Sequence, residues 1–237
     1  MSSPPGLFTI FGLYMSSFPA LSALGAASAL LLFASTPSVA AARADGPSFN
    51  CQRATSDSEK AICANPELAS LDRRIAARYT ALRGQLEARA FRSLREDQEW
   101  FVASREETAI EDLADTLRSR LSFLNAIRLP PASGVVGNWR NAAGMITVTQ
   151  EPSGGVTFEA NAAAPVTGRW VCGASGDVIA AGQGRWNAVI SDPVDDTITF
   201  ERWGSLLVVV EPQTSREYCG LNGGLAGFYF PAAPEAQ

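Results

Sequence analysis

Apolar residues recur along this chain at two different spacings, and the change from one to the other falls near residue 130. From Ser56 to about Arg128 the spacing is helical. Ser56-Asp57-Ser58-Glu59 is a capping signal that opens a short helix through Cys63. Asn65 caps a second helix, with Pro66 at its first position and Glu67 beside the positive helix end. Leu68, Leu71, Ile75, Tyr79, Leu82 and Leu86 then form one apolar stripe, weakened at its end by Gly84. A third helix is expected from Phe91, Leu94, Trp100 or Phe101, Ile110, Leu113, Leu117, Leu121 and Leu124. Its apolar pattern lapses between Ala103 and Thr108, which predicts a bend or a break there. Helices that share one apolar seam form a hairpin or a small bundle.

Pro130-Pro131-Ala132-Ser133-Gly134 ends this pattern. Beyond it the period is two. Strands are expected at Met145–Gln150, Val156–Ala160, Arg169–Cys172, Trp186–Ile190, Thr197–Trp203, Leu206–Glu211 and Phe228–Phe230. Strands about ten residues apart, joined by Pro, Gly, Ser and Asp turns, indicate an antiparallel β-barrel or β-sandwich. The fold class is therefore α+β in two domains, a helical hairpin or bundle at 48–128 and a β-domain at 135–231. A linker at 129–134 joins them, a disordered tail at 232–237 follows, and each half is expected to fold on its own.

The first 44 residues hold no acidic residue and one basic residue, Arg43, around the apolar run from Leu21 to Phe33. Ser38-Val39-Ala40 and Ala42-Arg43-Ala44 both satisfy the small-x-small rule of signal peptidase, so 1–44 reads as a signal peptide cleaved after Ala40 or Ala44. Pro37 and several serines make Ala20 to Ala42 a poor membrane span, and none is expected after cleavage. Pro47-Ser48-Phe49-Asn50 before Cys51 lacks the Leu-x-small pattern that directs lipid attachment. The location implied is periplasmic or secreted.

Removing Arg43 from the 19 basic residues leaves 18 against 24 acidic ones, a net charge of −6 for the mature chain. That balance disfavours nucleic acid and anionic membranes, which need a basic face. The β-half is the acidic one, with 5 basic and 10 acidic residues in 131–237 against 13 and 14 in 45–130. All four cysteines lie in the mature part, and an even count in an exported chain reads as disulfides rather than a metal site. The chain has no histidine, which removes Ser-His-Asp and Cys-His catalysis and His-ligated metal. No nucleophile motif or cofactor fingerprint replaces them, so binding rather than turnover is expected, with no cofactor; a hydrolase using two carboxylates is the remaining enzymatic route.

The segment from Asn50 through Cys51, Glu59, Ile62 and Cys63 to Leu68, Leu71, Asp72, Ile75 and Tyr79 resembles the N-terminal domain of the lysozyme inhibitor LprI family. Its pattern runs Cys, a Glu-containing turn, Ile-Cys, Leu-x-x-Leu-Asp and Tyr. Gln98, Trp100 and Arg105 resemble the family's Gln-Trp-Arg cluster, with the Gln-to-Trp spacing one residue short. Arg120, Leu121 and Leu124 fit its closing motif, so the resemblance covers about residues 48–126. Members usually carry further cysteines after the Trp-Arg cluster, where Thr108 and Asp112 stand here. The resemblance therefore implies that Cys51 pairs with Cys63, leaving Cys172 to Cys219. It also implies an envelope protein that binds lysozyme or another cell-wall enzyme.

Trp139, Trp170, Trp186 and Trp203 all fall in the β-half. Exposed and coplanar they would stack on sugars, giving a peptidoglycan-binding module; buried they are core, the simpler expectation. Asp192, Asp195 and Asp196 around Pro193 read as a turn rather than a calcium or acid–base site, and Gly220 to Gly227 as a turn closing the sheet. Asp72 with Arg73 and Arg74, and Glu106 with Glu107, read as solvated helix faces; Tyr79 and Trp100 are expected to pack between helices.

Overall fold

The computed structural model describes residues 46–129, 134–192, 195–212 and 217–234; the expected signal peptide lies outside these. Four helices come first: α1 (Asp57–Ala64), α2 (Pro66–Arg83), α3 (Ala88–Ser104) and α4 (Leu113–Ala126). Ser56 and Glu59 close a reciprocal capping box on α1, each side chain accepting the other's backbone N–H. Asn65 Oδ1 accepts from the N–H groups of Glu67 and Leu68 at the start of α2. The expected third helix breaks in two at residues 105–112, where the apolar pattern lapses and two short 3-10 turns intervene. The break lets α4 return along α2 and buries Leu113, Leu117, Leu121 and Leu124 with Leu68, Leu71, Ile75 and Leu82. The disulfide Cys51–Cys63 ties the segment before α1 to its last turn.

Eight antiparallel strands follow: β1 (Gly137–Arg140), β2 (Gly144–Gln150), β3 (Val156–Ala163), β4 (Val171–Gly182), β5 (Arg185–Asp192), β6 (Asp196–Trp203), β7 (Leu206–Val210) and β8 (Gly227–Ala232). Each pairs with its sequence neighbour, and β1 pairs with β8, so the sheet is a closed up-and-down barrel rather than a sandwich. Closure removes the edge strands that would otherwise invite pairing with other chains. Eight strands enclose a space that side chains fill. Here Trp139, Phe158, Phe200 and Tyr229 fill it, interleaved with Ala160, Ala174 and Ala188. Buried polar tips are satisfied: Trp139 Nε1 donates to the Val135 carbonyl at 2.7 Å and Tyr229 Oη to the Leu225 carbonyl at 2.8 Å. Gly176 marks a bulge between β4 and β5, and a Cβ there would stand 1.9 Å from the Val189 carbonyl oxygen. The disulfide Cys172–Cys219 pins the segment before β8 to β4.

The halves meet through more than a linker. Leu206 and Phe230 of the barrel are buried in the helical core, and Phe230 meets Phe123 edge-on at 6.0 Å. Glu87 Oε1 accepts from the N–H of Ser205 at 2.7 Å and its hydroxyl at 3.1 Å. The chain expected to trail away from Ala232 continues the sheet instead. Ala232 bridges Ile127, and the Ala233 N–H donates to the Ala126 carbonyl, which ties the end of β8 to the end of α4.

Candidate binding surfaces

The family-motif residues converge on two polar clusters between helices. Arg105, 6% exposed, pairs with Asp72 at 3.8 Å, Glu59 at 4.0 Å and Glu106 at 3.4 Å. Asp72 also accepts the Ser48 N–H at 2.6 Å, and Glu106 accepts the Ser58 hydroxyl at 2.6 Å. Asp72 is thus not on a solvated face: it lies on the side of α2 that Arg105 must reach, and pairing offsets its desolvation. Burial pushes the Glu106 carboxyl up, but hydrogen bonds from Ser58, Ser56 and Arg105 outweigh it and hold it below the usual carboxylate range.

The second cluster centres on Arg120 of α4, 3% exposed. Its guanidinium pairs with Asp97, donates to Gln98 Oε1 at 3.1 and 2.8 Å, and lies 5.0 Å from the rings of both Phe101 and Phe123. Burial raises the Asp97 carboxyl above its ordinary range despite Arg120. Tyr79 leans on Phe91 at 5.6 Å, and partial burial raises its phenol. Leu68 and Leu71 are plain core.

Trp100 departs from expectation. Ala90, Leu94 and Phe101 take the buried positions of α3, and Trp100, one residue from Phe101, is turned about 100° away. It is 42% exposed. Its ring borders two adjoining clefts, of about 620 and 340 Å³, between the helices and the barrel. Both reach the β1–β2 turn at Asn141–Ala143 and Pro165 of the β3–β4 turn. The β-half tryptophans form no stacking platform. Trp139 is buried, Trp170 and Trp186 pack on the barrel core, and Trp203 has Arg89 5.0 Å from its ring.

A third concavity, about 730 Å³, lies on the outer face of β2, β3 and β4. Cross-strand register sets Thr147, Glu159 and Ser175 in one row and Thr149, Thr157 and Asp177 in the next. None of its lining residues is basic. Pro193 and Val194 lie outside the described residues, so the Asp192–Asp196 turn contributes only its flanks.

These features define a disulfide-stapled helical unit joined to a solid antiparallel barrel, with surface clefts and buried ion pairs. Residues 51–149 match the family model described as lysozyme inhibitor LprI, which covers the helices and nearly all of the first β-hairpin. No curated protein and no solved structure matches the chain. The match runs past the helical segment 48–126 on which the resemblance was read. The two disulfides and an inhibitor family together indicate an extracytoplasmic protein. Among the described residues no helix is long and apolar enough to cross a membrane.

Proposed function

We propose that this is an exported protein, periplasmic or secreted, that acts by stoichiometric binding and inhibits a lysozyme-type muramidase. The observation that carries the reading is the match of residues 51–149 to a lysozyme inhibitor family. Two features support it. The histidine-free chain lacks the commonest general base, which favours binding over turnover. The mature charge of −6 suits a muramidase with a basic surface, and the groove on β2, β3 and β4, which carries Glu159 and Asp177 and no basic residue, is one surface that would suit such a partner. The attraction weakens as salt rises, because exposed charges are screened over about 8 Å at physiological ionic strength.

Titrating the mature protein into a lysozyme lysis assay tests this. Loss of lysis that saturates at a fixed molar ratio is expected, with weaker inhibition at higher salt. Unchanged lysis at a large excess of the protein refutes inhibition.

A further inference from the structure

We propose that the cleft at the helix–barrel seam is a saccharide site that takes neutral oligosaccharides of pyranose rings, with Trp100 as its stacking plate. This does not rest on the inhibitor reading, since it concerns a different surface and a different class of ligand.

The two walls of the cleft differ in chemistry. Thr116 and Ser119 of α4 line one wall with Asp112, the residue just before the helix, and spacings of four and three residues put the three on one side. Their side chains have no hydrogen-bond or ion-pair partner among the described residues, so a carboxylate and two hydroxyls stand ready for a ligand. The opposite wall is mainly apolar, from Ala142, Ala143, Ala163 and Pro165, with the polar side chains of Arg140 and Asn141 beside them. Trp100 stands where the two clefts meet, with its ring open to solvent.

A pyranose has the matching pattern, with hydroxyls around its edge and C–H groups on its faces. One edge fits the α4 wall, one face the alanine wall, and the other face the indole. Clefts of this volume are of the size that holds small ligands, and the seam between two units is a common place for them. The lining sets Asp112 and Asp115 against Arg120 and Arg140, and Asp115 is already paired with Arg118, so the cleft offers no net charge and an uncharged sugar is favoured. Val166, at the lip, has φ of +69°, a left-handed conformation that a β-branched residue rarely adopts. Strain of that kind gathers where a turn is held in place for a ligand.

The test uses the intact mature protein and two probes, tetra-N-acetylchitotetraose and maltotetraose, in isothermal titration calorimetry. Binding of either sugar supports the site, and the preference between them separates an N-acetylated, β-linked glycan from other pyranose chains. W100A is expected to weaken binding roughly tenfold, the upper end for one lost ring contact. W100F, which keeps a ring, is expected to weaken it less. T116A/S119A is expected to weaken binding several-fold and leaves the aromatic plate in place. All these positions are exposed or half-buried, so unchanged far-UV circular dichroism is expected throughout. The proposal is overturned if neither sugar binds at about 10 mM, where even a millimolar Kd registers. It is equally overturned if W100A binds as the wild type does.

Discussion

Arg120→Met removes the cation at the centre of the α3–α4 contact and keeps most of the side chain's volume. Arg120 is buried, Asp97 is mostly buried with its side chain 19% exposed, and Gln98 receives two hydrogen bonds from the same guanidinium. The variant therefore leaves a carboxylate and an amide oxygen without their donor in a site largely closed to water. Breaking a buried pair from one side costs about 3–5 kcal/mol. The lower end is expected here, because Asp97 retains some contact with solvent and its raised pKa lets it take up a proton. Asp97→Leu is expected to cost less, because Gln98 and the faces of Phe101 and Phe123 still hold the cation. The double variant removes both charges, so its loss should fall well short of the sum of the two single losses. A coupling of about 2 kcal/mol is the expected outcome of urea unfolding followed by circular dichroism. Single losses that add to within about 0.5 kcal/mol would refute the argument that pairing offsets desolvation at Arg120.

Phe230→Ala empties a position shared by the barrel and the helical core, and a loss of about 3–5 kcal/mol in thermal or urea unfolding is expected; residues 134–234 made without the helices should likewise melt lower than the same barrel in the intact protein. C51A/C63A closes no 12-residue loop and C172A/C219A no 47-residue loop. Chain entropy gives losses of about 3 and 4 kcal/mol, to be read from oxidised protein against each double variant. Thr108 Oγ1 is buried with no hydrogen-bond partner among the described residues, so Thr108→Val should gain about 1 kcal/mol; a loss of that size would show a bond that the packing conceals. Glu106 has its folded pKa lowered, so its contribution is present above the unfolded pKa and disappears as pH falls through the folded one. Glu106→Gln should thus be less stable than wild type near neutral pH and converge with it in acid, and a gap independent of pH would contradict the assignment.

Local chemistry alone determined much of this protein. Ser56 and Asn65 mark helix starts through bonds to residues two or three positions on, and Pro66 through its fixed φ, so the sequence places α1 and α2 directly. The alternation of Phe158, Ala160 and Ala162 with Thr157, Glu159 and Asn161 likewise marks a strand with one buried face. Four cysteines behind a segment that reads as a signal peptide point to two bridges for a chemical reason independent of fold. Other features were decided only in three dimensions. Period-two strands look alike in a sandwich and a barrel, and the pairing of β1 with β8, which joins Asn138 to Ala232 and Arg140 to Phe230 from opposite ends of the β-half, closes the sheet. Asp72 reads as a helix-surface charge until the break after α3 brings Arg105 against it. Trp100 and Phe101 are equal candidates for the core until the helix phase against α4 selects Phe101 and turns Trp100 outward. The cleft beside Trp100 has no signature along the chain, because its walls come from α4 and from the turns after β1 and β3. A sequence carries the preferences of each segment, whereas a site between segments exists only once packing has fixed which faces meet.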